Sequence, residues 1–298
     1  MRVLEALRDW RRMRRRARKR LARLAEADVV FMSPGKAGRT WVRVMLSHVY
    51  HQRRGTPLDE LIGADNFHRL DPAIPIIYFT HDINEPPAVR RALNADDLEP
   101  RKLVHLVRDP RDVAVSRYHH FAFRHDEAQR RRRAIPDDLA TTSLFDFVTD
   151  ERLGLPVVIA SMNRWAEIRA RMSRVLLLRY EDLHADPVRE MRRLVDFLGE
   201  PASDAELRAA VEFARFESLR KREAEGFFKQ EILRPGASGD PRSFKVRRGK
   251  AGGYREDFTA EQLAVLDRLV DERLVDGYGY KTGERTPALN PADSPAAS

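Results

Sequence analysis

Four short runs of the chain are apolar at nearly every position instead of alternating: residues 28–32, 74–80, 102–107 and 174–178. A run without a polar side has no face to offer water, so each predicts a strand covered on both faces. Between them the apolar spacing changes to steps of three and four. "RTWVRVMLSHVYHQ" follows the first run, "PRDVAVSRYHHFAF" the third, "LPVVIASMNRWAEIRARM" precedes the fourth and "PVREMRRLVDFLG" follows it. Pro110 and Pro187 suit first helical turns, and Gly199 suits a helix end. Strands alternating with helices predict an α/β fold of three layers, a central parallel sheet flanked by helices. Ligands of such sheets sit at the carboxyl ends of the strands.

Polar residues gather at those ends. In "VVFMSPGKAGRTWVRVML", residues 29–46, Gly35 and Gly38 let backbone N–H groups converge, Lys36 adds a charge, and a helix begins at Arg39. This outlines an anion-binding loop. Ala37 stands where a magnesium-binding loop needs Ser or Thr, so no metal ligand is expected there. Arg108 follows the third run directly, and Ser116 lies eight residues on, about two turns into the next helix. Both can reach one phosphate. "FKVRRGKAGGYREDFT", 244–259, places Arg247, Arg248 and Lys250 around Gly249. His81 lies just past the second run, where a general base is useful. Each also has an ordinary reading: a plain strand–helix turn, an Arg108–Asp112 pair, a solvated charge run, a structural histidine.

Composition narrows the chemistry. The 298 residues are 42% hydrophobic and 34% charged, and there is no Cys, which excludes disulfides, thiolate metal sites and Cys nucleophiles. No stretch reads as a membrane span. The formal charge of +9 is not spread evenly: residues 1–24 hold eleven Lys or Arg against Glu5 and Asp9, so the remainder sums to zero. A nucleic-acid-binding role for the whole molecule therefore loses its support. Val3, Leu4, Leu7, Trp10, Ala17, Leu21 and Leu24 make a narrow apolar stripe on this basic helix. Packing on the domain, docking to an anionic membrane surface or acidic partner, and nucleic-acid contact stay open as its uses. The expected organisation is a basic helix (1–25), one domain (26–282) and a Pro- and Ala-rich disordered tail (283–298), with surface loops at 125–139 and 236–243. Arg and Ala richness suggests a GC-rich bacterial source, and with it a cytoplasmic location.

Taken in order, these elements resemble the sulfotransferases that use 3′-phosphoadenosine 5′-phosphosulfate (PAPS). "KAGRTW" at 36–41 is similar to that family's Lys-Ser-Gly-Thr-Thr-Trp loop. "RDPRDVAVSRY" at 108–118 carries its Arg-x₇-Ser element, "YEDL" stands at 180–183, and "RRGKAGGY" at 247–254 is similar to its C-terminal Arg-Lys-Gly-x-x-Gly motif. The resemblance spans residues 28–260 and implies a P-loop-like sulfotransferase fold with PAPS as donor and no metal. It implies that Lys36, Ala37, Gly38, Arg39 and Thr40 hold the 5′-phosphosulfate, and that Trp41 and Phe216 flank adenine. Arg108, Ser116, Arg247, Arg248 and Gly249 would hold the 3′-phosphate, Tyr180 would touch the nucleoside, and His81 and Lys36 would be catalytic. Departures are Gly35, Arg39 in place of Thr, Phe79 where many members have Lys, and Gly253-Tyr254 in place of Asp-Trp. The acceptor is not spelled out. Two rival readings are a nucleotide kinase, which the missing hydroxyl after Lys36 opposes, and a non-catalytic docking protein working through residues 1–24.

Overall fold

The computed structural model describes residues 2–123, 135–136, 139, 141–230, 233 and 250–284, with side chains from residue 11 onward. Its strands are β1 (Val29–Met32), β2 (Ile77–Thr80), β3 (Lys102–Val107) and β4 (Val175–Arg179). All pair in parallel, in the order β2-β1-β3-β4. The helices are α1 (Arg2–Ala25), α2 (Arg39–Arg54), α3 (Pro87–Ala92), α4 (Ala95–Leu98), α5 (Pro110–Phe123), α6 (Leu144–Thr149), α7 (Leu155–Ala170), α8 (Tyr180–Ala185), α9 (Pro187–Leu198), α10 (Asp204–Phe213), α11 (Phe216–Ala224) and α12 (Ala260–Arg273).

The expected three layers are present. Phe31, Val104, Leu106 and Leu178 point to one face, where they pack with Val42, Met45 and Val49 of α2 and with Met191 and Leu194 of α9. Their neighbours Val30, Met32 and Leu103 point to the other, against Trp165 of α7 and Leu24 of α1. The strands are apolar on consecutive positions because each face has its own helical cover. β3 and α5 coincide with the expected bounds. β2 begins three residues later than the apolar run suggested, because Pro75 has no N–H to give a ladder; Ile77 is the first residue in register, opposite Val29. β1 begins one residue later than expected, and β4 lies one residue on, with Arg179 opposite Val107. α2 ends at Gly55 and α9 at Gly199, both left-handed at φ 65° and 85°. Most of the loop at 125–139, all of 236–243 and the tail from 285 lie outside the described residues.

Candidate active site

Every strand delivers a polar residue at its carboxyl end. The turn after β1 carries Lys36, β2 runs into His81, β3 into Arg108 and β4 into Tyr180. All four line one cavity of about 700 Å³, within the range of small-molecule sites, roughly 300–1,000 Å³. Thr40, Trp41, Ser116 and Phe216 share its wall. Ala37 does not: its side chain is buried in the core and its N–H donates to Pro34 O at 3.3 Å. Arg247, Arg248 and Gly249 lie outside the described residues.

The β1–α2 turn requires two left-handed residues, Lys36 at φ 80° and Gly38 at φ 93°. For Lys36 that conformation is strained, which is the kind of cost retained at functional turns. At Gly38 space also forbids a side chain: a Cβ would lie 2.6 Å from Tyr180 Cδ2. Tyr180 in turn meets Trp41 edge to face at 6.0 Å, and Trp41 Nε1–H is fixed to Ala214 O at 3.0 Å. Gly38→Ala is therefore expected to destabilise the fold by about 1–3 kcal/mol. A fall in melting temperature of roughly 2–10 °C by calorimetry would be its sign; an unchanged melting temperature would contradict the close packing.

Arg108 bridges the two ends of the cavity wall. Its guanidinium lies 4.3 Å from the Tyr180 ring centroid and donates to Lys36 O at 3.4 Å, Lys250 O at 2.8 Å and Asp112 Oδ2 at 3.1 Å. Asp112 also accepts from the N–H groups of Gly252 and Tyr254 at 2.8 and 3.0 Å. The Arg108–Asp112 pair foreseen as the ordinary alternative thus exists, and it ties the C-terminal glycine-rich segment to β3. "YEDL" holds the site from behind. Glu181 accepts from Asp109 N–H at 3.0 Å and from Tyr280 Oη–H at 2.7 Å. Burial pushes its carboxyl up, partly countered by those hydrogen bonds. Sequence reasoning assigned no site role to Asp112 or Glu181, because their partners lie far along the chain.

His81 is held at both ring nitrogens. Nδ1 lies 2.8 Å from Ser33 O, which can only accept, so Nδ1 carries the proton. Nε2 lies 2.7 Å from Arg39 Nη2, which can only donate, so Nε2 presents its lone pair. The ring is therefore neutral in this arrangement. The chain beyond it is fixed by Asp82, at φ 56°, whose buried carboxylate pairs with Arg164 at 2.8 Å and Arg90 at 3.3 Å. Arg39 also donates to Thr80 O at 2.8 Å. Its guanidinium is pushed down to about 9, by burial first and then by repulsion from Arg43 and Arg20, with Glu85 opposing.

A sulfotransferase-domain family model matches residues 26–278. The chain belongs to the sulfotransferase family. Cytosolic sulfotransferase 16 of Arabidopsis thaliana is 26% identical over 267 residues, covering 84% of this chain and 76% of the relative. Two solved structures share the fold at a TM-score of 0.57: a mouse sulfotransferase, SULT7A1, complexed with PAP (19% identity, 84% and 85% of the two chains), and a retinol dehydratase in complex with androsterone and PAP (22%, 84% and 81%). The protein is accordingly a sulfotransferase enzyme, and its cavity is the candidate site of sulfuryl transfer. α1 precedes the matched span.

Proposed function

We propose that this sulfotransferase transfers the sulfuryl group of PAPS to a hydroxyl (or amine) of an acceptor, by in-line displacement with His81 as base. The observation that carries this reading is the shared cavity. Lys36 and Arg108 come from different strand ends, yet the Arg108 guanidinium touches the Lys36 carbonyl and both face one nucleotide-sized space. Lys36, Gly38, Arg39 and Thr40 take the 5′-phosphosulfate, Arg108 and Ser116 the 3′-phosphate, and Trp41, Tyr180 and Phe216 the adenosine. Arg247, Arg248 and Gly249 complete the 3′-phosphate site in this reading. The acceptor O–H gives its proton to His81 Nε2 as oxygen attacks sulfur. The bond from sulfur to the bridging oxygen breaks, and its electron pair leaves on the 5′-phosphate of adenosine 3′,5′-bisphosphate (PAP), facing Lys36. Incubation with PAPS and a panel of hydroxyl and amine acceptors, read by mass spectrometry, tests it: a sulfated product with stoichiometric PAP is expected, and PAPS left intact across the panel counts against it.

Arg108→Ala separates nucleotide binding from chemistry. Loss of a charged hydrogen bond, about 1.5–3 kcal/mol, is expected to weaken PAP binding roughly 10- to 100-fold and to reduce preference for the 3′-phosphate by a similar factor. Unchanged discrimination between PAP and adenosine 5′-monophosphate would contradict the assignment.

For α1 we infer contact with an anionic membrane surface. Its last turns pack on the domain through Leu24 and Leu21, while residues 11–16, 18 and 19 are exposed and almost all cationic. Arg16 donates to Asn84 O at 3.3 Å, and Asn84 lines the cavity, so the basic stretch begins at the mouth of the site. No helix among the described residues is long and apolar enough to cross a membrane. Replacing Arg11, Arg12, Arg15 and Arg18 by Ser is expected to cost about 1 kcal/mol each in binding to phosphatidylserine vesicles, with no change on neutral vesicles. Equal loss on both vesicle types, or none, would contradict it.

A further inference from the structure

On the donor reading above, the contact between Arg39 and His81 has to break before His81 can act. An imidazole nitrogen has a single in-plane lone pair. On His81 Nε2 that pair already accepts from Arg39, at 2.7 Å, while Nδ1 is spent on Ser33 O. An acceptor hydroxyl delivering its proton needs the same lone pair. Arg39 and the acceptor therefore compete for one atom, and His81 can act as base only when the guanidinium has gone elsewhere.

The guanidinium has reason to leave. Its hydrogen-bond partners here are one carbonyl, Thr80 O, and one imidazole, both neutral. Arg43 and Arg20 repel it, and the carboxylate that offsets them, Glu85, is itself held by Arg20 and Thr80. A phosphate offers the guanidinium what neither neutral partner can, an opposite full charge and oxygens that accept two parallel N–H bonds. Arg39 opens α2, directly after the anion-binding turn, so an anion in that turn lies within reach of its side chain. The Phe79 ring, with the Arg39 guanidinium 5.8 Å from its centroid, carries no charge that competes for that anion.

We propose that Arg39 is a positioning residue that covers His81 until the donor claims it. The 5′-phosphate end of the nucleotide draws the guanidinium off Nε2 and so opens the base to the acceptor. Donor binding then precedes activation of the acceptor, and the base is not offered to water beforehand. The differential affinity of the nucleotide for the uncovered arrangement is what drives the shift.

The test reads the His81 nitrogens directly, by imidazole ¹⁵N resonances at mildly alkaline pH, assigned by their loss in His81→Gln. The samples are the full chain and its Arg39→Thr and Arg39→Lys variants. Each is taken alone, with saturating PAP, and with saturating adenosine 3′-monophosphate, which lacks the 5′-phosphate. In the wild type, PAP is expected to move Nε2 downfield to the position it holds in Arg39→Thr, and the 3′-monophosphate is expected to leave it in place. Arg39→Thr should show no such movement with either nucleotide, and Arg39→Lys should restore part of it. Saturation is checked by calorimetry on the same samples. PAP that binds without moving Nε2 in the wild type, or moves it equally in Arg39→Thr, overturns the proposal alone. PAP that binds none of the three proteins overturns the donor reading and the proposal with it.

Discussion

Replacing His81 by Ala is expected to lower turnover by roughly 10²–10⁴, the usual range for loss of a general base, and to leave PAP affinity within a few-fold. The two effects separate for a geometric reason. His81 reaches the cavity from the end of β2, on the edge of the sheet, whereas no residue assigned to the nucleotide comes from that strand: Lys36, Arg108 and Tyr180 follow β1, β3 and β4. Its Nδ1–H is tied to Ser33 O and its neighbour Asp82 is locked by Arg164 and Arg90, so the ring is held where a proton acceptor is needed. The alanine variant also removes a hydrogen-bond partner of Arg39, which frees that cation for the donor and works against any loss of nucleotide affinity. Activity of the variant within a few-fold of the wild type, measured with any acceptor that the enzyme sulfates, would remove His81 from the mechanism.

Lys36→Met is expected to reduce turnover by roughly 10²–10³, the scale of losing one donor to a developing anion. Methionine keeps an unbranched side chain at φ 80°, so the strain of the turn is unchanged and the charge alone is tested. The negative charge of the reaction grows on the oxygen that leaves sulfur, and Lys36 lies on the wall with the backbone donors of the turn. An effect on the transition state that exceeds the effect on bound PAP separates catalysis from simple attraction. PAP affinity is therefore expected to fall less than turnover. A variant that binds PAP as poorly as it turns over, in equal proportion, would reassign Lys36 to binding only.

The architecture was legible because the strands are doubly covered and the helices well bounded. β3 and α5 were read without error, since an apolar run ends sharply at Arg108 and Pro110 opens the next helix. β2 was read too long because its apolarity continues upstream through Ile74, where Pro75 interrupts the ladder but not the hydrophobic pattern. Of the assigned residues that the structure describes, all but Ala37 line one cavity; a position inside a loop motif says nothing about which way a methyl points, and this one points into the core. Wall residues such as Asn84, His120 and Leu219 belong to no motif and carry no signal in the sequence. Contacts between distant segments were not legible. Arg39 and His81 are 42 residues apart, Asp109 and Glu181 are 72, and Asp112 and Gly252 are 140. The first two pairings depend on which strands become neighbours, and the third on where the C-terminal segment returns to α5. Phe79 stands where many members have Lys; the structure adds that Arg39 brings a cation to the His81 side of the site. Glu181 explains why the acidic residue after Tyr180 matters, by tying the β3–α5 turn to the C-terminal Tyr280.

The central claim is that one adenosine nucleotide, phosphorylated at both ends, spans the turn at Lys36 and the Arg108–Ser116 pair. Calorimetric titration without added magnesium tests it most directly, with PAP, its 2′,5′ isomer and ATP compared on the same protein. PAP is expected to bind with one-to-one stoichiometry, the isomer to bind roughly 10-fold or more weakly for want of the charged hydrogen bond, and ATP to bind more weakly still. Equal affinity for the two isomers, or a preference for ATP that appears only with magnesium, would contradict the account.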